Sequence, residues 1–143
     1  MKILVLNGPN LELLGEREPE LYGNATLAHI EDMLESRALD AGIELEFLQS
    51  NHEGALIDRL NGSGQTADAA IINAGALTHY SFALRDAITA FGKPVVEVHI
   101  SNIFSREDWR SHSVTGAAAR GVISGLGIHG YLLALEALLE LLR

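Results

Sequence analysis

Two pairs of side chains have the types and the spacing that proton transfer needs. Glu97 and His99 stand two residues apart in a run of Val and Ile, so both point to the same side of an extended strand. This pattern indicates a histidine acid that a carboxylate orients. Arg17 lies five residues ahead of Tyr22 in GEREPELYG. Free tyrosine has a pKa of about 10, but a neighbouring arginine, which stays protonated, favours a tyrosinate that can act as a base.

Each pair also has a purely structural interpretation. Glu97 and His99 could be a satisfied buried pair, because buried charges need partners. Arg17 and Tyr22 could belong to a surface loop with one aromatic anchor. The position of Glu97 and His99 toward the carboxyl end of a strand favours function for that pair. The loop by itself leaves both interpretations of Arg17 and Tyr22 open.

Five apolar runs predict the strands that position these residues. They are residues 3–6, 43–48, 69–73, 94–100 and, more weakly, 121–124. Near-continuous apolar runs are typical of parallel strands that are covered on both faces. Caps and periodicity predict helices over residues 27–41, 53–60, 80–91 and 128–142. The alternation predicts a single catalytic domain over residues 1–143. Its α/β fold is flavodoxin-like, a five-stranded parallel sheet with helices on both faces.

Polar side chains gather after the predicted strands, where an open α/β sheet binds its ligands. The candidates are Asn7, Asn10, Arg17, Tyr22, Asn73, His79, Glu97, His99, Ser101, Asn102, Arg106 and Arg110. Many of them fall in two segments, residues 8–24 and 101–120, which are longer than ordinary connections. We expect these segments to form a lid and a pocket wall over the same edge of the sheet.

Composition excludes several classes of function. A net charge of −9 argues against nucleic acid or an anionic membrane as the main partner, but allows a small anionic ligand in a local basic pocket. The absence of cysteine excludes disulfides, a thiol nucleophile and Cys-ligated metals, and is compatible with a reducing cytoplasm. The Leu-rich tail is interrupted by Glu136 and Glu140, so it is predicted to be a core-packed helix and not a membrane span.

Three further patterns predict no cofactor chemistry. Residues 125–130, GLGIHG, match the G-x-G-x-x-G motif of dinucleotide-binding proteins. No strand follows them, so we interpret the glycines as allowing a tight turn and close packing of the last helix. The histidines are scattered without a metal-binding spacing. The only lysines, Lys2 and Lys93, lie away from the expected site, which argues against Schiff-base chemistry.

Four segments, taken together, closely resemble the type II 3-dehydroquinate dehydratases. They are NGPNLELLGEREPELYG (7–23), INAGALTHYSFALRDA (72–87), VEVHISNIFSREDWRSHS (96–113) and GVISGLGIHGYLLAL (121–135). The resemblance runs nearly end to end, with one departure at Glu12, where the family often has Asn or another small or polar residue. It implies a hydro-lyase that converts 3-dehydroquinate to 3-dehydroshikimate without a metal, an organic cofactor or a Schiff base.

The resemblance also implies catalytic roles. Tyr22 would remove a C2 proton beside the ketone, and Arg17 would hold it as tyrosinate and help to close the loop. Asn10, through an ordered water, would stabilise the enolate oxygen. His99 would protonate the departing C1 hydroxyl, oriented by Glu97.

Substrate contacts and assembly are implied in the same way. The backbone N–H groups of Ile100 and Ser101 would receive the substrate carboxylate, with Asn73 nearby. Arg110 and His79 would contact ring hydroxyls. Family members form trimers that assemble as dodecamers, so Asp86 would reach the site of a neighbouring subunit, and Arg106 would serve either that interface or the pocket. The reaction serves the shikimate pathway of aromatic biosynthesis as well as quinate breakdown.

Two other functions fit a flavodoxin-like fold. A flavin-binding electron carrier needs a loop rich in Ser and Thr after the first strand, but Gly-Pro-Asn-Leu stands there and the first Thr is Thr26. A phosphorylation-switched receiver module needs an Asp at the end of the third strand, where the chain has Asn73. Both functions are disfavoured.

Overall fold

The computed structural model, which describes residues 1–143, contains one parallel sheet of five strands. The strands are β1 (Lys2–Asn7), β2 (Glu44–Gln49), β3 (Ala69–Asn73), β4 (Val95–His99) and β5 (Gly121–Ser124). Their order in the sheet is β2-β1-β3-β4-β5. This is the flavodoxin-like order, and the predicted fold class is confirmed.

Five helices accompany the sheet. They are α1 (Pro19–Tyr22), α2 (Leu27–Ala41), α3 (Glu53–Ser63), α4 (Phe82–Phe91) and α5 (His129–Leu141). Alternate residues of each inner strand point to opposite faces. One face packs on α2 and α5 through residues such as Ile30 and Leu135, and the other on α3 and α4 through residues such as Leu56 and Ile88. No helix is long and apolar enough to cross a bilayer.

The structure differs from the sequence prediction most clearly in two helix boundaries and in the burial of one strand. Helix α3 continues to Ser63, because Gly62 is accommodated inside the helix and does not end it. Helix α4 begins at Phe82 and not at residue 80, because the Ser81 hydroxyl accepts the Leu84 N–H at 3.0 Å and caps the helix. Strand β2 lies at the edge of the sheet and is only partly covered, in contrast to the two-sided burial that was predicted.

The first long segment begins with a close backbone approach that only glycine allows. A Cβ atom at Gly8 would lie 2.4 Å from the Ala74 carbonyl oxygen, which follows β3. The Gly8 N–H also donates to the Asn73 carbonyl at 2.8 Å. The chain leaving β1 is therefore held against the end of β3, and this contact directs residues 9–23 over the carboxyl edge of the sheet.

Candidate active site

A cleft at the carboxyl edge of β1, β3 and β4 lies between the two long segments. Its lining includes the predicted residues Asn10, Arg17, Tyr22, Asn73, His79, His99, Ile100, Ser101 and Arg110. Glu97 lies behind the lining, fully buried, and Asp86 lies outside it, exposed on α4. Arg106 also lines the cleft, so three arginines face a cavity in an acidic protein. That local excess of positive charge suits an anionic ligand.

Tyr22 ends a one-turn helix in the first long segment. The turn starts at Pro19, whose missing N–H and fixed φ suit a first helical position, and it ends at Gly23, which has φ of 77°. The segment between Gly15 and Gly23 is therefore partly helical and not an irregular loop. It brings the half-buried Tyr22 side chain into the cleft.

Arg106 is the cation in contact with the Tyr22 hydroxyl. Its Nη1 donates to the Tyr22 Oη at 2.8 Å and to the Ser101 Oγ at 3.2 Å. Arg17 lies near the ring instead, with its Cζ 5.8 Å from the ring centroid. The Arg106 side chain is only 9% exposed, and Glu18 lies 3.9 Å from its Nη2. A cation that is shielded from water acts more strongly on a neighbouring oxygen.

The sequence alone left Arg106 between the pocket and a subunit interface. The structure places it in the cleft, where it comes from the second long segment and meets a tyrosine of the first. The signal that could have found it was its position in the predicted pocket wall. The role of Arg17 stays a prediction, since it reaches the face of the tyrosine ring but not the hydroxyl.

Glu97 and His99 form the second cluster. The Glu97 Oε2 lies 2.9 Å from the His99 Nε2, as their shared side of β4 predicted. Three hydroxyl groups also surround the Glu97 carboxylate: Ser113 at 2.6 Å, Thr78 at 3.3 Å, and Thr115. These three residues were not predicted as part of the site, although all of them lie in the loops that follow β3 and β4.

The stability of the protein at low pH should depend on Glu97. Burial raises the pKa of this carboxyl, but hydrogen bonds from His99, Ser113 and Thr115 outweigh burial, so the pKa lies below its ordinary value of 4.5. A lowered pKa in the folded state stabilises the protein above the unfolded pKa, and this stability is lost as pH falls through the folded pKa. We expect the free energy of unfolding to decline below pH 4.5, and Glu97→Gln to reduce the slope of that decline.

Urea denaturation at neutral pH and at a series of pH values below 4.5 measures this effect. Glu140→Gln, on the exposed side of α5, is the matched control, because it removes a carboxylate that no buried donor contacts. A decline of equal slope in Glu97→Gln and in the unmodified protein would contradict the prediction.

His79 is held as a neutral imidazole beside His99. Its Nδ1 lies 2.6 Å from the His112 carbonyl oxygen, and a carbonyl can only accept, so Nδ1 carries the proton. Burial lowers the pKa of His79 below its ordinary 6.5. The two histidine rings stack with centroids 6.5 Å apart, and Trp109 packs edge-on against His79. At neutral pH the His79 Nε2 is thus an acceptor, which can receive the proton of a ligand hydroxyl.

A buried hydrogen-bond chain forms the floor of the cleft. The Asn73 Nδ2 donates to the Tyr131 hydroxyl at 2.9 Å, and that hydroxyl donates to the Asn7 Oδ1 at 2.6 Å. The Gly75 N–H donates to the Asn73 Oδ1 at 3.2 Å. Burial raises the pKa of Tyr131, so this second tyrosine stays a neutral phenol. Tyr22 is therefore the tyrosine of the site with a hydroxyl available for proton transfer.

Glu12 supports the turn that holds Asn10. Asn10 has a left-handed backbone with φ of 70°, and its N–H donates to the Asn51 Oδ1 at 2.9 Å. Asn51 and Gln49 in turn donate their amide N–H groups to the Glu12 carboxylate at 2.9 and 2.8 Å. Glu12 does not line the cleft, and its contacts reach the site segment through Asn51 to Asn10 and through Gln49 to the Gly8 carbonyl.

The remaining predicted contacts lie at the rim and end of β4. Ile100 and Ser101 follow this strand, and neither N–H donates to another loop residue. The Arg110 guanidinium packs over Trp109 with its Cζ 4.0 Å from the ring centroid, and pairs with Glu107. Nowhere in the chain do three or more His, Asp or Glu side chains converge as a metal site would need.

A known protein family matches this chain over nearly its whole length. The model of the family described as dehydroquinase class II matches residues 1–139. The chain belongs to the class II dehydroquinase family. The resemblance that the four sequence segments indicated is thereby confirmed.

Individual members of the dehydroquinase family are similar to this chain in sequence and in structure. The 3-dehydroquinate dehydratase of Pelotomaculum thermopropionicum is 56% identical over 137 residues, which cover 96% of this chain and 95% of that protein. The crystal structure of the type II dehydroquinase from Butyrivibrio crossotus has a TM-score of 0.94 at 45% identity, covering 96% of this chain and 97% of that one. The type II dehydroquinase from Propionibacterium acnes has a TM-score of 0.92 at 41% identity, covering 96% and 94%.

Proposed function

We propose that the chain is a 3-dehydroquinate dehydratase that eliminates water through an enolate, with Tyr22 as base and His99 as acid. The observation that carries the mechanism is the 2.8 Å contact from Arg106 to the Tyr22 hydroxyl, in the same cleft as the His99–Glu97 pair. The names of its relatives support the substrate, since the Pelotomaculum protein is a 3-dehydroquinate dehydratase.

The first step is removal of a C2 proton by the Tyr22 oxygen. Arg106 donates to that oxygen, and Arg17 lies near its ring, so two cations stand beside the group that takes the proton. The electrons of the broken C–H bond pass to the ketone oxygen and form the enolate. Asn10, through an ordered water, stabilises the negative oxygen as it develops.

The second step is departure of the C1 hydroxyl. The enolate electrons return to form the C1–C2 double bond, and the hydroxyl leaves with a proton from His99. The Glu97 carboxylate holds the His99 ring and keeps a negative charge against it. The proton that Tyr22 took in the first step then returns to solvent, and His99 is reprotonated, so the reaction balances as the loss of one water.

Substrate binding uses the positive side of the cleft. The unpaired N–H groups of Ile100 and Ser101 receive the substrate carboxylate beside Asn73, while His79 and Arg110 contact ring hydroxyls. The proposal needs neither metal nor organic cofactor. It includes a cytoplasmic location and a dodecamer built from trimers, in which the exposed Asp86 of one subunit reaches a neighbouring site.

Product analysis tests the reaction directly. Purified protein is incubated with a large excess of 3-dehydroquinate, and the product is identified by mass spectrometry as substrate less one water. A second sample receives substrate with borohydride, and the protein is analysed for covalent adducts. The proposal predicts complete conversion and no adduct. An adduct on Lys2 or Lys93 would contradict the mechanism, and a yellow protein that holds flavin would instead favour an electron carrier.

Removing the Arg106 charge should lower kcat more than removing the Arg17 charge does. Arg106→Gln loses the donor at the Tyr22 oxygen, and we expect kcat to fall about 10²-fold, in the range seen when one electrostatic donor is removed. Arg17→Gln leaves that donor in place, so its kcat should fall less. Steady-state kinetics of both variants give the comparison, with the exposed Arg120→Gln as control. Equal losses, or a larger loss in Arg17→Gln, would show that Arg106 is not the dominant cation.

A further inference from the structure

The Glu97 carboxylate is enclosed by more donors than orientation of one histidine requires. Its side chain is 0% exposed, and Ser113, Thr115, Thr78 and His99 all contact its two oxygens. A hydroxyl group has one proton to donate. The direction of each hydrogen bond can therefore be assigned by counting protons.

The Ser113 proton is assigned by its other contact. The Gly116 N–H donates to the Ser113 Oγ at 2.8 Å, which makes that oxygen an acceptor there. Its own proton is free for the Glu97 Oε2 at 2.6 Å. Gly116 is also placed so closely that a Cβ atom would lie 2.9 Å from the Ser113 Oγ and 3.2 Å from the Glu97 Oε2. The segment that carries Ser113 is thus packed directly on the carboxylate.

The hydroxyl groups of Thr78 and Thr115 form a chain of hydrogen bonds that ends at Glu97. Thr115 gives its proton to the Glu97 Oε1, so Thr78 donates in the 2.9 Å contact between the two hydroxyls, and its 3.3 Å contact with the Glu97 Oε1 carries no proton. Both threonines are fully buried and no water is needed to satisfy them. Glu97 therefore accepts hydrogen bonds at both of its oxygens, and its lowered pKa agrees with a carboxylate that is ionised at neutral pH.

An ionised Glu97 determines which nitrogen of His99 carries a proton. The His99 Nε2 lies 2.9 Å from the Glu97 Oε2, and a carboxylate can only accept, so Nε2 is the protonated nitrogen. The His99 Nδ1 has no partner in the protein, and no polar side-chain atom that is cut off from solvent lacks a partner. Nδ1 is therefore the accessible atom, and His99 lines the cleft.

We propose that Thr78, Ser113 and Thr115 are positioning residues that fix the tautomer of His99 through Glu97, so that Nδ1 is the atom that delivers the proton to the leaving hydroxyl. The role of Nδ1 rests on the proposed dehydratase function, whereas the tautomer does not. In this arrangement Nδ1 must be protonated before each turnover, and the Glu97 charge stabilises the imidazolium that results.

The experiment combines kinetics with nitrogen-15 NMR of the His99 ring. The variants are Thr115→Val, which removes one donor at nearly constant shape, Thr115→Ser, which restores it, and Ser113→Ala. We expect Thr115→Val and Ser113→Ala to lower kcat about 10- to 100-fold, by analogy with removal of the residues that orient metal-bound histidines, with KM little changed. In these two variants the Nε2–H signal of His99 should weaken while the Nδ1–H signal of the other tautomer appears. Thr115→Ser should restore both kcat and the Nε2–H signal.

Thr89→Val is the control, because Thr89 is exposed on α4 and bonds only to the Arg85 carbonyl. The half-buried Ser113→Ala keeps the test valid if Thr115→Val does not fold. Unchanged kcat and unchanged His99 signals in either folded variant would overturn the proposal, as would a loss of kcat without a change in the His99 signals. If the unmodified protein does not dehydrate 3-dehydroquinate, the proposed function fails, while the NMR result still decides the tautomer.

Discussion

Replacing Tyr22 with Phe is expected to abolish turnover while substrate binding is largely kept. Phenylalanine preserves the ring that packs beside Arg17 and Arg106 but removes the oxygen that takes the C2 proton. Loss of a positioned base costs about 10²- to 10⁴-fold, and the second tyrosine near the site cannot replace it, because Tyr131 is buried as a neutral phenol. Two measurements check this result: kcat for conversion of 3-dehydroquinate, and the binding of 3-dehydroquinate to the variant by calorimetry.

Exchange of the C2 hydrogen gives a second observable for this variant. In heavy water, formation and reversal of the enolate would place deuterium at C2 of unreacted substrate, and Tyr22→Phe should lose this exchange together with turnover. Tyr80→Phe is the matched control, because Tyr80 is 62% exposed and lies outside the cleft. Substantial turnover in Tyr22→Phe would rule out Tyr22 as the base.

Replacing His99 with Ala should lower turnover by a comparable factor but spare C2 exchange. The variant loses the acid for the departing hydroxyl, a contribution of about 10²- to 10⁴-fold. Neither Tyr22 nor Arg106 hydrogen-bonds to His99, so we expect the base and its cation to remain in place and the enolate still to form. Proton NMR in heavy water measures exchange and product formation in the same sample.

The difference in C2 exchange between Tyr22→Phe and His99→Ala is more informative than the loss of turnover in either variant. His29→Ala, on the exposed surface of α2, is the control for removal of a histidine. A near-normal rate in His99→Ala would contradict its role as the acid. Loss of C2 exchange in His99→Ala would mean that His99 takes part in the first step, and the assignment of acid and base would then need to be revised.

The parts of this site that sequence predicted are those that local rules determine. Glu97 and His99 share one side of β4 because strand side chains alternate, and the structure brings them within 2.9 Å. The apolar runs predicted all five strands, since buried parallel strands leave a near-continuous apolar signal. Helix α2 was bounded by its cap residue Thr26 and by Gly42, and the structure begins and ends it there.

The parts that sequence did not predict depend on contacts between distant segments. The Tyr22–Arg106 bond joins residues 84 positions apart, and it forms only because two long segments fold over one sheet edge. Thr78 and Thr115 meet at Glu97 from different loops for the same reason. Asp86 presents a different case, since it is exposed on α4 and does not line the cleft of its own chain, so its contact with a neighbouring site stays a prediction.

A single-turnover time course tests the central claim most directly. Protein in excess is mixed rapidly with 3-dehydroquinate, and the ultraviolet absorbance of the conjugated enone product is followed for the unmodified protein and for Tyr22→Phe. We predict a rise to full conversion for the unmodified protein, and a trace for the variant that stays flat over the same time and rises at least about 10²-fold more slowly. A flat trace for both proteins would contradict the dehydratase function, and a rise at the same rate for both would contradict the assignment of Tyr22 as the base.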